Sequence, residues 1–185
     1  SIASVMAGVV RCRRSRGASP LVSWGGVGRV RKDGTFYLFM IYKFRSMVPN
    51  ADQMLKDLQA QNEATGPMFK MKHDPRIIPG VGNFIRKHSI DELPQLINVF
   101  LGQMNLIGPR PGLPREVALY SEHDMKRLTV KPGCSGPWQV MGRSHLGFNE
   151  MVELDLHYIE NRSLRQDLRL IFGTLKTMFS GEGAV

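Results

Sequence analysis

Near the end of the chain, apolar side chains recur at Leu164, Leu168, Ile171, Phe172, Leu175 and Phe179. That spacing marks one face of an α-helix over about 163–179. Arg165, Arg169 and Lys176 flank the stripe, so it suits either a protein core or a membrane interface with cations at the headgroups. Core is the expected role. A helix over about 149–161 precedes it. Upstream, residues 35–47 (TFYLFMIYKFRSM) are aromatic and β-rich and predict a strand. Asn50 is placed to cap a helix over about 51–64, with Met54, Leu55 and Leu58 on one face. A short helix is predicted over 82–88. Pro114 suits the first position of a helix running to about Leu128. Stretches rich in Gly and Pro at 19–34, 66–79, 102–114 and 131–143 read as loops, with Asp33-Gly34 as a hairpin-turn signal. The pattern predicts a single compact α+β domain of amphipathic helices around a small β element.

At 185 residues and 42% hydrophobic, the chain can bury one real core. No repeat, low-complexity tract or interdomain linker divides it. The net charge of +9, from 25 basic against 16 acidic residues, calls for an anionic partner: nucleic acid, an acidic membrane surface or a phosphorylated substrate. Cys12 and Cys134 have no CxxC spacing and fit a reducing compartment. No apolar run reaches the roughly 20 residues needed to span a bilayer. Residues 2–10 are apolar, and Arg11-Cys12-Arg13-Arg14-Ser15-Arg16 follows at once. That order is wrong for a signal peptide. It suits the end of a membrane-inserted helix with a basic cytosolic flank, and equally a frayed terminus.

The candidate chemistry centres on Lys87-His88-Ser89-Ile90-Asp91-Glu92-Leu93-Pro94-Gln95-Leu96. Ser89 and Glu92 have capping-box spacing. With Asp91 as the cap instead, Pro94 falls among the first helical positions, where it needs no donor. Either register leaves a carboxylate beyond what capping requires. Arg45, Arg76, Arg86, Arg110 and Arg143 each sit in or beside a loop of restricted backbone freedom, Arg110 between Pro109 and Pro111. Guanidinium groups held this way suit bidentate contact with phosphate. There is no GxxxxGK[ST], no complete GxGxxG, no HExxH and no GxSxG. Carboxylates among phosphate-binding cations point to phosphoryl transfer. Either Mg²⁺ on one or two carboxylates plus substrate phosphates, or direct attack by a carboxylate on phosphorus, would serve.

Several segments, in order, resemble the bacterial polyprenyl-phosphate sugar-1-phosphate transferases, the monotopic phosphoglycosyl transferases that begin capsule, exopolysaccharide and O-antigen assembly. They include Tyr42-Lys43-Phe44-Arg45-Ser46-Met47, Asp74-Pro75-Arg76-Ile77, Val81-Gly82-Asn83-Phe84-Ile85-Arg86-Lys87 and the acidic segment itself. Leu106-Ile107-Gly108-Pro109-Arg110-Pro111, Lys131-Pro132-Gly133, Trp138-Gln139-Val140, Gly142-Arg143 and Leu154-Asp155 continue the set. The resemblance covers about residue 19 to the C-terminus. It implies transfer of sugar-1-phosphate from a UDP-sugar to undecaprenyl phosphate, releasing UMP, at the cytoplasmic face of the bacterial inner membrane. It makes Asp91 the nucleophile of a phosphosugar–enzyme intermediate, with Glu92 assisting it and helping to hold Mg²⁺. It places Lys43, Arg45, Arg76, Arg86, Arg110 and Arg143 at phosphates or nucleotide. Asp155 is a further candidate, although a mid-helix Asp more often lies on a solvated face. Relatives enter the membrane through a re-entrant helix of about 20 residues; here residues 1–18 read as a truncated remnant of it, ahead of a catalytic domain over 19–185. Residues 22–34 depart from the family's Arg-Val-Gly-x-x-Gly pattern. Monomer and homo-oligomer are both compatible with this reading. The competing reading is a non-catalytic basic module for a membrane surface or nucleic acid, but no stacking platform or recognition helix supports nucleic acid.

Overall fold

The computed structural model describes residues 21–31, 34–64, 66–142 and 146–181. The apolar segment 2–10 with its basic flank, Asp33 and Arg143 lie outside them. Strand β1 (Leu21–Val30) pairs antiparallel with β2 (Phe36–Phe44), Leu21 opposite Phe44 and Val27 opposite Leu38. The turn ends at Gly34, whose N–H donates to the Arg31 carbonyl at 3.0 Å. β1 was hidden among glycines, which weaken a strand. At Gly26 the missing side chain is required, because a Cβ there would lie 2.5 Å from Ile41 Cδ1 on β2.

Phe39 and Ile41 of β2 bury with Met104 against Val99. The free edge of β2 is satisfied by a side chain. Asn98, fully buried in the helix Gln95–Phe100, donates to the Met40 carbonyl at 2.6 Å and to Gln103 Oε1 at 2.7 Å, and accepts the Tyr42 N–H at 3.1 Å. Asn98→Leu removes the amide from both of these part-buried backbone groups, at about 1–3 kcal/mol each. We expect a loss of about 3 kcal/mol in urea melts; a loss below 1 kcal/mol would show that water replaces the amide.

Strands β3 (Asn105–Ile107) and β4 (Gly133–Ser135) run parallel, Asn105 opposite Gly133 and Ile107 opposite Ser135. A parallel pair needs a long crossover, and the connection carries two short helices, Pro114–Val117 and Glu122–Met125. The single helix expected to Leu128 is therefore broken. Ser121 restarts the chain, accepting the Asp124 N–H at 3.2 Å while its own N–H donates to Asp124 Oδ2 at 2.8 Å, a capping box. The expected loop over 131–143 contains β4 and a helix at Pro137–Met141. The helix expected over 51–64 is Ala51–Leu58 with a 3₁₀ turn to Gln61, and Asn50 makes no side-chain cap.

In the helix Phe148–Asn161, Phe148, Met151, Val152 and Leu156 form a buried face. The last helix, Leu164–Ser180, is capped by Ser163, whose Oγ accepts the Gln166 N–H at 3.3 Å. Of its stripe only Ile171 packs against the core. Leu164, Leu168, Phe172, Leu175 and Phe179 are 46–84% exposed, and only Leu170 of this helix is buried. The inward face carries Leu170 and Ile171, packed with Ile107 and Tyr158, beside small and polar positions: Val140 packs where a Gly173 Cβ would be, and Thr174 bonds Ser135 at 2.6 Å. Close approach at Gly173 seats this face against its neighbours and leaves Leu164, Leu168, Phe172, Leu175 and Phe179 outward. The helix's far end is tied to the helix Val81–Lys87, because His88 Nδ1 donates to the Met178 carbonyl at 2.7 Å. No helix among the described residues is long and apolar enough to cross a membrane.

Candidate active site

The helix Val81–Lys87 ends at His88, and Ser89 then takes φ 53°, the left-handed region that a residue with a Cβ seldom occupies. Among the described residues no other non-glycine has positive φ. This turn redirects the chain into a 3₁₀ turn at Ile90–Glu92, followed by the helix Gln95–Phe100 with Pro94 at its N-cap and no side-chain cap. Neither capping register expected from the sequence is used. Ser89 does not cap, and Glu92 turns to Lys43 of β2, whose Nζ donates to Glu92 Oε1 at 2.5 Å. Asp91 is 6% exposed.

Around the pair the fold forms a cavity of about 340 Å³. Of the expected site residues, Lys43, Arg45, Arg76, Arg86 and Arg110 line it together with Asp91 and Glu92. Lys70, Arg115, Asp52 and Asp74 also line it, giving seven basic against four acidic side chains. Sequence reading missed Lys70 and Arg115. Lys70 is carried inward by a loop that Asn62 clamps, donating to the Met68 carbonyl at 2.9 Å and accepting the Lys70 N–H at 2.8 Å. Asn62 was the only local signal, a loop Asn of the kind that bonds nearby backbone.

The cations differ in availability. Arg76 forms a fork with Asp74, Nε to Oδ1 at 2.8 Å and Nη2 to Oδ2 at 2.6 Å, over the Phe69 ring. Against the cost of burial, that fork holds the Asp74 carboxyl below its ordinary value. Arg76 thus braces its loop rather than offering a free fork. Arg86, by contrast, has its Nε buried with no hydrogen-bond partner, a donor that a phosphate oxygen would satisfy. Arg110 stacks on Trp138, its Cζ 5.1 Å from the ring centre.

Two adjacent carboxylates are driven apart. Burial raises Asp91 above its ordinary value and the Glu92 charge adds to this, while Lys43 and Arg86 pull the other way. Burial also works against Glu92, but Lys43, Arg110 and Arg86 hold it below its ordinary value. Divergent environments of this kind are how one site assigns two carboxylates different roles. Burial pushes the nearby Cys134 thiol up to about 11, so it is no thiolate at neutral pH.

Asp155 is neither solvated nor on the cavity wall. It is fully buried, paired with Arg127, one layer behind Arg110. Arg143 lies outside the described residues. Among them, no group of three or more His, Cys, Asp or Glu side chains could hold a metal.

The profile described as Bacterial sugar transferase matches residues 10–181. The galactosyl transferase CpsE of Streptococcus agalactiae is 44% identical over 172 residues, covering 92% of this chain and 37% of that protein. The undecaprenyl-phosphate galactose phosphotransferase of Salmonella typhimurium is 43% identical over 86% of this chain and 34% of its own length. The exopolysaccharide production protein ExoY of Sinorhizobium fredii is 37% identical over 79% of this chain and 66% of its own. The chain thus spans about a third of the first two relatives. With the profile matched across nearly its whole length, the chain belongs to the bacterial sugar transferase family.

Proposed function

We propose that this protein transfers sugar-1-phosphate from a UDP-sugar to undecaprenyl phosphate, releasing UMP, at the cytoplasmic face of the bacterial inner membrane, as the first step of surface polysaccharide assembly. The observation that carries this reading is the buried Asp91 beside the Lys43-paired Glu92 in a cavity with an excess of cations. The printed names of relatives support the donor and acceptor classes: one is a UDP-galactose-lipid carrier transferase, another an undecaprenyl-phosphate galactose phosphotransferase.

An Asp91 oxygen attacks the sugar-bearing phosphorus. The bond to the bridging oxygen breaks, and UMP leaves with the electron pair, giving a phosphosugar–aspartyl intermediate. A phosphate oxygen of the lipid then attacks the same phosphorus and restores the Asp91 carboxylate. Arg86 and Arg110 offset charge on the equatorial oxygens. Lys43 keeps Glu92 ionised and in place. Two adjacent carboxylates, with no third protein ligand among the described residues, fit Mg²⁺, which keeps several waters and takes substrate phosphates. Held by Asp91 and Glu92, it would supply charge neutralisation on the diphosphate.

UMP release from UDP-galactose, UDP-glucose and UDP-N-acetyl sugars, with undecaprenyl phosphate and Mg²⁺ in detergent, tests the assignment. Release that needs both lipid and metal supports it and names the sugar. Folded protein that binds UDP and releases nothing from any donor would sink it.

The outward apolar faces support a site that works at a lipid surface. Phe100, Phe172 and Phe179 are 92%, 68% and 84% exposed. Replacing all three by Ser is expected to cut flotation with phosphatidylglycerol vesicles at least tenfold, at about 1.5–3 kcal/mol per buried apolar side chain, with the melting temperature unchanged. Undiminished flotation would put the lipid contact elsewhere.

A further inference from the structure

Arg110 is held from three sides. In front, β3 and β4 extend into its loop: the Gly108 N–H donates to the Ser135 carbonyl and the Gly133 N–H to the Pro109 carbonyl, each at 2.9 Å. That approach excludes side chains, since a Cβ on Gly133 would lie 2.1 Å from the Gly108 nitrogen. Downstream, the Val27 N–H of β1 donates to the Gly112 carbonyl at 2.9 Å. Behind, Arg127 Nη2 donates to the Arg110 carbonyl at 3.3 Å.

Arg127 is a peculiar choice for this task. It is 2% exposed, and its fork is otherwise taken by Asp155, Nε at 2.9 Å and Nη2 at 2.6 Å to the same Oδ2, while Nη1 donates to Tyr120 at 3.0 Å. A fully buried ion pair gives little net stability over apolar residues of similar size. Its value here lies in geometry. The guanidinium spans from the helix Phe148–Asn161, which carries Asp155, to the backbone of the one loop that presents Arg110. The proline on each side leaves Arg110 few backbone conformations. Fixing its carbonyl therefore fixes the direction of its side chain, which stacks on Trp138 and bears on Glu92.

We propose that the buried Arg127–Asp155 pair is a positioning device for Arg110, presetting its guanidinium at the phosphate position from the far side of the loop. Neither Arg127 nor Asp155 lines the cavity. The proposal rests on the phosphate-transfer reading of the cavity, and its test separates the two.

The test is a cycle between Arg110→Ala and the paired replacement Arg127→Met with Asp155→Leu, which removes the contact without leaving a bare charge. The paired replacement is expected to lower kcat/KM for the UDP-sugar about a hundredfold, as loss of positioning does. On the Arg110→Ala background it should add less than twofold. A hundredfold loss on both backgrounds would mean a structural role only and overturn the proposal. So would no loss on the wild-type background. Should the paired variant fail to fold, Arg127→Lys enters the same cycle, since it keeps the charge toward Asp155 but lacks the fork.

A second reading needs no turnover. In a Trp24→Phe background, Trp138 is the sole tryptophan, and its emission reports the Arg110 stack. Arg110→Ala should change that emission, and the paired replacement should change it equally. Unchanged emission in the paired variant overturns the proposal. Absence of UMP release by the parent protein would overturn the transferase reading alone.

Discussion

Replacing Asp91 with asparagine is expected to abolish transfer and, at neutral pH, to raise the melting temperature. The amide is no nucleophile, so UMP release should fall by about 10⁴-fold or more, the scale of nucleophile removal elsewhere. The gain in stability follows from linkage. Burial raises the Asp91 pKa in the fold, Glu92 adds to this, and Lys43 and Arg86 offset it only in part. A carboxyl raised on folding contributes stability in full below its unfolded pKa, and that contribution is lost as pH rises through the folded one. At pH 7 that contribution has been lost in whole or in part, and the buried carboxyl is a burden on the fold that asparagine lifts. The advantage should vanish below about pH 4, where both states hold the proton. Melts of both proteins at pH 4 and pH 7, with UMP release beside them, check this; a variant less stable at pH 7 would show that the ionised form is the better-solvated one. The same shift places the acid limb of the kcat/KM profile above the ordinary Asp value.

The second large effect is on stability. Arg127→Met alone strands Asp155, which is fully buried. Breaking one side of such a pair costs about 3–5 kcal/mol, or roughly 10 °C for a chain of this size. Burial already pushes Asp155 up to about 6 with Arg127 in place, and removing the cation raises it further. Since a raised carboxyl loses its contribution as pH climbs, the deficit should widen between pH 5 and pH 8. Adding Asp155→Leu should recover most of it. Thermal melts across that range decide the matter; a deficit that ignores pH would mean the loss is one of packing, not charge.

Legibility in the sequence followed the range of the interactions involved. The last helix was readable because its periodicity is local, as in the recurrence from Leu164 to Phe179. The acidic pair was readable because both carboxylates are neighbours in the chain. What failed was long-range. For the stripe on the last helix, periodicity finds an apolar face but not its direction, which close approach at Gly173 and Thr174 helps to decide. β4 was lost in a Gly/Pro-rich loop because its pairing with β3 depends on a partner far upstream. Asp155 looked like a surface residue because its partner, Arg127, lies beyond the reach of a helix pattern. Arg76 looked like a free cation, although Asp74, two residues away, could have warned otherwise.

The cavity wall draws on residues from Ile41 to Gln139, which fixes when a ribosome could finish it. At roughly 5–20 residues per second, Asp91 and Glu92 leave the exit tunnel seconds before β4 does. During that interval the nascent chain holds Lys43, Arg86 and both carboxylates, but not the strand that seats the Arg110 loop. The parallel pairing of β3 with β4 is thus a late event in biogenesis. A nascent chain meeting a lipid surface through its earlier helices would arrive there with its chemistry still switched off.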